Sequence, residues 1–280
     1  MPSVTKSLTV GAALSAVRGR VPGYEAHALL GALLQTDRAA LLAHPERPLT
    51  PEQADRFAAL VGRLAAGEPL PYLVGRQAFY DRDFFVTPDV LIPRPETELL
   101  IEEALAFARR QPDLTMVDVG TGSGALAVTL AARLPAARVI ATDISPAALE
   151  VARRNAEQHA ARVDLLPGDL LQPLIERQIK VNLLLANLPY IASGDLPALA
   201  VSRHEPRLAL DGGADGLDLI RRLLVQAPAV CHPGARLLLE IGADQGAAAL
   251  ALVLAAFPAA SARLLRDLAG HDRAICADLA

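Results

Sequence analysis

The sequence predicts an α/β protein in which a small helical domain precedes a mostly parallel, seven-stranded sheet. Three patterns lead to this prediction: helical spacing of apolar residues at the start of the chain, alternation of short apolar runs with helical segments from Thr115 onward, and a final pair of apolar runs separated only by Ala269-Gly270-His271. Alternation of strands and helices implies parallel βαβ units. So short a connection permits only an antiparallel pair. The sheet should therefore end in an antiparallel hairpin at its edge.

Residues 1–74 are predicted to form the helical domain. One predicted helix places four leucines on a single face, namely Leu29, Leu30, Leu33 and Leu34. The next predicted helix, in "TPEQADRFAALVGRLAAG", has Thr50 as its N-cap and Pro51 in its first turn. Gly67 is expected to end that helix, because glycine readily adopts the left-handed conformation found after helix C-termini.

Residues 75–93 are predicted to be a β-hairpin linker. Aromatic and β-branched residues there flank a turn-prone segment, 81–83. The third predicted domain, residues 94–280, starts with a helix whose first turn contains Pro95 and acidic residues. This helix is expected to run to about Arg110.

The rest of the chain supplies the strands of the sheet. The predicted parallel strands are "TMVDVG", "ARVIATDI", "RVDLLPGD", "KVNLLLAN" and "ARLLLEIG", and the edge hairpin consists of "ARLLRDL" and "DRAICADL". Helices are predicted at about 124–134, 146–160, 217–230 and 244–257, the last of them started by Asp244. The apolar run from Gly246 to Ala260 is shorter than the ~18 residues of a membrane span, so it predicts a buried helix.

Composition narrows the functional classes. Of 280 residues, 52% are hydrophobic, which is enough for a sizeable core, and the net charge is −4. This balance lacks the positive field of a protein that stays bound to nucleic acid. The two cysteines, Cys231 and Cys276, have neither disulfide nor zinc-site spacing, so we expect reduced thiols and no metal site. We expect a cytoplasmic monomer without membrane attachment.

The stretch "VDVGTGSGAL" is the candidate nucleotide-binding loop. It ends a predicted strand with an acid and opens a helix through three glycines, which lets backbone amides approach a ligand closely. Asp143, at the tip of the second strand, is placed to accept both hydroxyls of a ribose. The same pattern also fits a loose dinucleotide fingerprint, so the cofactor stays open at this point. The candidate contacts in the loop are Asp118, Gly120, Thr121, Gly122, Ser123 and Gly124.

The stretch "LLLANLPYI" is the second candidate site. Its strand ends on Asn187, whose side chain carries an acceptor oxygen and two donor hydrogens and can therefore bind another amide or an aromatic amine. Asn187 and Gly120 should lie at the carboxyl ends of neighbouring central strands, where open α/β sheets bind ligands. An acid before the glycines, combined with Asn-x-Pro-Tyr after the fourth strand, resembles the Rossmann-like class I methyltransferases that use S-adenosylmethionine.

A longer series of blocks, from about residue 68 to 275, resembles the release factor glutamine methyltransferases. Members of this family methylate the side-chain nitrogen, N5, of a glutamine in the GGQ motif of class I peptide chain release factors. The blocks include "EPLPYLVGRQAFYDRDFFV", "VLIPRPETELL", "DISPAALEVARRNA", "EPRLALDGGADGLDLIRRL", "LLLEIGADQ" and "RDLAGHDRAI". "IPRPETE" favours the release-factor enzymes over relatives that act on a ribosomal protein. Residues 1–67 match only as a small helical domain, which would dock the substrate.

The resemblance implies roles for the residues around Asn187. Its side-chain oxygen and the Leu188 carbonyl would accept the two N–H bonds of the substrate glutamine. Pro189 would fix the turn, and Tyr190 would pack against the flat amide. The family pattern is Asn-Pro-Pro-Tyr, so Leu188 is a departure. Because Leu188 precedes a proline, it should keep extended backbone angles and the same carbonyl direction.

The resemblance also implies how S-adenosylmethionine is bound, with S-adenosylhomocysteine as the product. The loop 120–124 would contact the methionine part and the ribose, and Asp143 would bind the ribose hydroxyls. Asp169 would accept the adenine amine, with Leu170 against the ring. Glu205, Arg207 and Asp211 either shape the substrate mouth or form a solvated loop; these two interpretations stay open.

Two alternatives remain at the level of sequence. Asn-Leu-Pro-Tyr also occurs in adenine dimethyltransferases of ribosomal RNA, so the chain could be a nucleic-acid adenine N6-methyltransferase acting on a flipped base. That function predicts a basic, aromatic-lined groove, whereas this chain has no tryptophan and an acidic balance. The other alternative is a binding protein that keeps the cofactor fold without catalysis. The intact Asn187 and Tyr190 argue against it.

Overall fold

The computed structural model describes residues 8–111, 113–267 and 269–280. The chain divides into two compact units, one ending at Arg76 and the other running from Gln77 to Ala280. Residues 1–7 of the predicted helical domain lie outside the described residues. The first unit is helical, and the second contains the sheet.

The described residues of the first unit, from residue 8 onward, contain five helices. They are α1 (Val10–Ala16), α2 (Gly23–Leu34), α3 (Arg38–Ala43), α4 (Pro51–Ala65) and α5 (Leu70–Val74). Thr50 caps α4 as expected: its hydroxyl accepts from the Gln53 amide at 3.2 Å, and the Gln53 side chain accepts from the Thr50 amide at 3.0 Å. Leu29 and Leu30 are fully buried in the core of this unit.

A two-stranded hairpin, β1 (Arg76–Phe79) and β2 (Arg82–Phe85), follows α5, and all of it except Arg76 belongs to the second unit. Its turn lies at Tyr80–Asp81, one residue earlier than the predicted 81–83. Phe79 and Phe84 are buried edge to face, with ring centroids 6.0 Å apart, and they pack in a core cluster of the second unit. The helix that follows, α6 (Glu98–Ala108), begins after a 3₁₀ turn at Pro95–Thr97. The predicted β-hairpin is therefore part of the packed second unit.

The main sheet has seven strands. They are β3 (Thr115–Val119), β4 (Arg138–Asp143), β5 (Val163–Pro167), β6 (Val181–Ala186), β7 (Cys231–Glu240), β8 (Ser261–Arg266) and β9 (Asp272–Asp278). Their order is β5-β4-β3-β6-β7-β9-β8. The first five strands are parallel, and β9 runs antiparallel to both of its neighbours. The predicted fold class and its antiparallel edge hairpin are confirmed.

Helices cover the sheet on both faces. They are α6, α7 (Ala125–Arg133), α8 (Pro146–Gln158), α9 (Gln172–Glu176), α10 (Asp218–Gln226) and α11 (Gly246–Ala256). Successive strand residues point to opposite faces, and Leu183 and Leu184 accordingly belong to two separate core clusters. In the part of the chain that is described, no helix combines the length and apolar character needed to cross a membrane.

Several helix boundaries differ from the sequence-based expectation. Gln245, not Asp244, is the N-cap of α11, and it makes no side-chain capping bond there. α10 stops at Gln226 instead of reaching residue 230, because Pro228 has no amide hydrogen to continue the helix; a 3₁₀ turn, Ala227–Ala229, follows. α6 ends at Ala108, two residues before Arg110. These shifts leave the sheet and its loops in place.

The register of the central strands decides where the site forms. Val119, the last residue of β3, pairs with Thr142 on one side and with Ala186 on the other. The residues that follow these three positions therefore leave the sheet at the same edge. They include Gly120 and Asn187, whose predicted proximity is confirmed.

Candidate active site

A cavity of about 360 Å³ lies in the second unit at the carboxyl ends of β3, β4, β5 and β6. This volume falls at the lower end of the range of small-molecule sites, about 300–1,000 Å³. Of the residues predicted from the sequence, it is lined by Asp118, Gly120, Thr121, Gly122, Ser123, Asp143, Asp169, Leu170, Asn187, Leu188 and Pro189. Gly124 and Tyr190 do not line it. The structure thus brings both candidate motifs to one cavity.

Asp118 forms hydrogen bonds to the glycine loop and to the helix that follows it. Its carboxylate accepts from the Thr121 hydroxyl at 2.6 Å and from the Ala127 amide at 3.3 Å. Burial raises the pKa of Asp118 to about 6, and these two hydrogen bonds oppose the rise. The acid at the end of β3 therefore holds the loop and the first turn of α7 together.

The glycine loop adopts a conformation that favours glycine. Gly120, Gly122 and Gly124 all have positive φ angles, of 71°, 55° and 81°. A Cβ atom at Gly124 would also come within 3.1 Å of Ala152 on α8. The third glycine is thus required for packing of the loop against a helix, whereas the first two face the cavity.

Asp143 links the ends of β3 and β4. One carboxylate oxygen accepts from the Gly122 amide at 2.9 Å, and the other accepts from the Ser145 amide at 2.8 Å. Burial raises the pKa of Asp143, and the backbone donors oppose this rise. Each carboxylate oxygen has further acceptor capacity. The carboxylate can therefore hold the loop and still accept hydroxyl groups from a ligand in the cavity.

Asp169 and Leu170 follow β5 at the far side of the cavity. The Asp169 carboxylate forms an ion pair with Arg222 on α10, and about two-fifths of the Asp169 side chain stays exposed. Leu170 is buried and has a positive φ of 51°. The ion pair with Arg222, which was not predicted from the sequence, thus positions Asp169. The exposed part of the Asp169 side chain remains available to a ligand in the cavity that it lines.

Asn187, Leu188 and Pro189 form the wall of the cavity beside the glycine loop. The Asn187 Nδ2 atom donates to the Thr97 hydroxyl at 3.0 Å. Tyr190 lies behind this wall, where burial and the nearby Glu240 carboxylate raise its pKa to about 12. Tyr190 does not line the cavity, and its packing against the substrate amide, which the resemblance implied, stays a prediction.

A partly buried ion pair holds the loop on which Thr97 lies. The Glu205 side chain is buried; it pairs with Arg94 and accepts from the Ile92 amide at 3.1 Å. Arg207 instead forms an exposed ion pair with Asp211. Of the two interpretations left open for these residues, Glu205 has a structural role at the cavity mouth, and Arg207 lies in solvent.

Sequence reasoning assigned no role to several residues that shape the site. Asn155 on α8 is fully buried; its amide donates to the Ser123 carbonyl at 2.8 Å and exchanges two hydrogen bonds with the Phe85 backbone. Thr97 and Glu240 are buried beside Asn187. One sequence signal could have identified such residues: a polar residue at the end of an apolar run, such as Glu240 in "LLLE".

Metal chemistry was not expected from the sequence. Over the described residues, no cluster of three or more His, Cys, Asp or Glu side chains is arranged to hold a metal ion. The two cysteines are buried free thiols. The polar side chains that line the cavity include carboxylates, hydroxyls, one carboxamide and the guanidinium groups of Arg94 and Arg222. This mixture of donors and acceptors suits a polar organic ligand.

Comparison with known proteins defines the family. Residues 11–75 match the model of the PrmC N-terminal domain, and residues 116–203 match that of a methyltransferase domain. The chain is 50% identical over 259 residues to the release factor glutamine methyltransferase of Moorella thermoacetica, covering 91% of each chain. The chain belongs to the release factor glutamine methyltransferase family. The Bacillus subtilis member is 42% identical over 247 residues, covering 86% of each chain.

Solved structures extend the comparison at the level of fold. A 16S rRNA N2 G1207 methyltransferase from T. thermophilus, solved with AdoMet and guanosine, has a TM-score of 0.53 and 18% identity, over 73% of this chain and 50% of that one. A methyltransferase from Pyrococcus furiosus has a TM-score of 0.53 and 16% identity, over 82% and 98%. At these identities the likeness establishes the methyltransferase fold alone.

Proposed function

We propose that this member of the release factor glutamine methyltransferase family transfers the methyl group of S-adenosylmethionine to the side-chain amide nitrogen, N5, of the glutamine in the GGQ motif of class I release factors. The observation that carries the proposal is the position of Asn187. Asn187 lines the same cavity as the glycine loop, and the strands that lead into the two motifs are neighbours in the sheet. This arrangement puts a group that can bind an amide beside a group that can bind a nucleoside.

The cavity fits S-adenosylmethionine. Gly120 and Gly122 leave backbone open toward the cavity, and the carboxylate of Asp143 has acceptor capacity for the ribose hydroxyls. Asp169 would accept the adenine amine from the opposite side, with Leu170 against the ring. The bound cofactor supplies a methyl group on a sulfonium, which is already a good leaving group.

The chain's own contribution is to position the substrate nitrogen. An amide nitrogen is a poor nucleophile because its lone pair is delocalised into the carbonyl. The Asn187 Oδ1 atom and the Leu188 carbonyl would accept its two hydrogens, which orients the nitrogen and favours the positive charge that develops on it. Pro189 restricts the backbone that carries both acceptors. The methylated nitrogen becomes acidic, so its proton can leave after transfer.

The first unit would recognise the protein substrate. It matches the PrmC N-terminal domain and has its own apolar core. A separate docking unit would explain how an enzyme with a small cavity selects one glutamine in a large protein. We propose that the chain acts as a cytoplasmic monomer, on release factors as they are used in translation termination.

Transfer of labelled methyl groups tests the proposal. The purified chain is incubated with labelled S-adenosylmethionine and with a release factor, the same release factor carrying Glu in place of the GGQ glutamine, DNA, or RNA. We expect label on the unsubstituted release factor only. Label on nucleic acid alone would favour the adenine N6-methyltransferase, and cofactor binding without transfer to any substrate would favour the binding protein.

A further inference from the structure

Glu240 is a buried carboxyl group next to the proposed substrate site. It ends β7, where its neighbour β6 leads into Asn187. Only 3% of Glu240 is exposed, and its Oε2 atom is buried without a hydrogen-bond partner among the described residues. A buried, unpaired carboxylate oxygen destabilises a fold. Its presence beside Asn187 therefore calls for a role.

The hydrogen-bonding groups around Glu240 indicate what this role is. The side chains of Thr97 and Asn187 lie close enough to stabilise its charged form. Thr97 itself accepts a hydrogen bond from Asn187 Nδ2 at 3.0 Å. A hydroxyl that accepts one hydrogen bond still has its own hydrogen to donate, and an ionised carboxylate can only accept. The polarity is therefore fixed: Asn187 donates to Thr97, and Thr97 donates toward Glu240.

We propose that Glu240 is a positioning residue that fixes the orientation of the Asn187 carboxamide. This inference rests on the proposed function, in which the Asn187 oxygen accepts an N–H of the substrate glutamine. The oxygen and nitrogen of a carboxamide have nearly the same shape, so packing alone does not decide which one faces the cavity. Because Glu240 and Thr97 require a donor on the inner side, the Asn187 Nδ2 atom points inward. Oδ1 is left to face the substrate.

The protonation state of Glu240 controls this preference. Burial raises the pKa of Glu240 to about 7, and the Glu96 carboxylate adds to the rise. Thr97, Arg273 and Asn187 oppose it, and Tyr190 lies close enough for the Glu240 charge to raise the tyrosine pKa. A protonated Glu240 can donate to Thr97, whose hydrogen is then free to bind the Asn187 oxygen. The flipped carboxamide would offer N–H groups to the substrate N–H groups and would not bind them.

The first test is independent of activity. The side-chain amide signals of Asn187 are followed by ¹H–¹⁵N NMR from about pH 5 to about pH 8, and they are assigned by their loss in Asn187→Ala. We expect them to shift with the titration of Glu240 in the wild type and to lose that pH dependence in Glu240→Gln. Signals that do not titrate, or that titrate equally in the variant, would overturn the inference.

The second test uses the proposed reaction. We expect turnover of release factor to fall below about pH 7 in the wild type, and to become nearly independent of pH and about tenfold lower at about pH 8 in Glu240→Gln. Thr97→Val should also lose about tenfold, whereas Thr97→Ser, which keeps the hydroxyl, should retain activity. The cofactor Kd should be unchanged in all three variants. Equal activity of Thr97→Val and Thr97→Ser would overturn the inference that Glu240 acts on Asn187 through the Thr97 hydroxyl.

The two tests separate the inference from the function on which it rests. If the wild type methylates no release factor but its Asn187 signals titrate with Glu240, the proposed function fails and the control of Asn187 by Glu240 stands. If methyl transfer occurs and the Asn187 signals ignore Glu240, the proposed function stands and the inference fails. A Glu240→Gln variant that is misfolded would be recognised by loss of cofactor binding. In that case the comparison of turnover between Thr97→Val and Thr97→Ser tests the inference.

Discussion

The side chain of Leu188 packs directly over Gly120: a Cβ atom added at Gly120 would come within 3.1 Å of the Leu188 Cδ2 atom. This contact joins the two motifs of the candidate site, one from the end of β3 and the other from the end of β6. Leu188 is 4% exposed and belongs to the core cluster on one face of the sheet. The residue that departs from the family pattern is therefore a packing residue, and its backbone carbonyl is also a proposed acceptor of a substrate N–H.

Replacing Leu188 with proline, the family residue, tests whether its backbone or its side chain matters more. We expect Leu188→Pro to remain active, because proline keeps the extended angles that precede Pro189. Stability should fall by about 1 kcal/mol, because the smaller ring fills less of the space over Gly120. Turnover and urea unfolding measure the two effects. An inactive but folded variant would indicate that the backbone here differs from that of the family.

Asp143 should dominate the binding of the cofactor. Asp143→Ala removes the acceptor of the Gly122 amide and the proposed acceptor of the ribose hydroxyls, so we expect the Kd for S-adenosylmethionine to rise at least tenfold, or about 1.4 kcal/mol. Isothermal titration calorimetry measures this change. Asp164→Ala serves as the matched control, because its carboxylate pairs with Arg138 at an exposed position. An unchanged Kd in Asp143→Ala would remove Asp143 from the cofactor site.

Asn155 should be among the most sensitive polar residues of the second unit. Asn155→Ala leaves a buried backbone group of Ser123 and two partly buried backbone groups of Phe85 without this partner, so the free energy of unfolding should fall by about 2 to 3 kcal/mol. Urea denaturation measures it. Gln172→Ala is the control: this side chain bonds only to Glu176 at an exposed site and should change stability by less than about 0.5 kcal/mol. Similar losses in both variants would contradict the bracing role of Asn155.

The buried carboxyls predict how stability depends on pH. The pKa of Asp118 is raised to about 6 and that of Glu240 to about 7. Between about pH 4 and about pH 7 the folded state therefore holds protons that the unfolded state has lost, so the free energy of unfolding should decrease as pH rises through this window. The pKa of Asp215 is lowered to about 2, so that group acts below the window.

Glu240→Gln isolates one of these two carboxyls. Because the variant has no proton to lose at position 240, the decrease in unfolding free energy between about pH 4 and about pH 7 should be smaller than in the wild type. Denaturant unfolding at several pH values measures both slopes. Identical slopes, or a wild-type stability that rises with pH across the window, would contradict the assignment.

The sequence was sufficient to predict the sheet and much of the site. The lengths of the apolar runs and their alternation with helical segments identified the strands. The short Ala269–His271 connection predicted the antiparallel hairpin at the edge of the sheet. Open α/β sheets bind ligands at the carboxyl ends of their strands. Because this rule depends only on strand order, it predicted that Gly120 and Asn187 lie close together. Such patterns are local, or follow from general rules of topology.

The remaining features depend on contacts between distant segments. The Asn187–Thr97 hydrogen bond spans 90 residues, and the Asn155–Phe85 bonds span 70. No local pattern indicates which buried donor meets which acceptor over such separations. Tyr190 illustrates the same point: its place in the motif does not indicate that it lies near Glu240, which ends a different strand. Side-chain direction after a strand end is decided by tertiary packing.

Locating the transferred methyl group tests the central claim most directly. Release factor incubated with S-adenosylmethionine and either the wild type or Asn187→Ala is digested and sequenced by tandem mass spectrometry. We predict one added methyl group on the side chain of the GGQ glutamine with the wild type, and at least a tenfold slower reaction, about 1.4 kcal/mol, with an Asn187→Ala variant that still binds cofactor. A methyl group on another residue, or undiminished transfer by Asn187→Ala, would contradict the account.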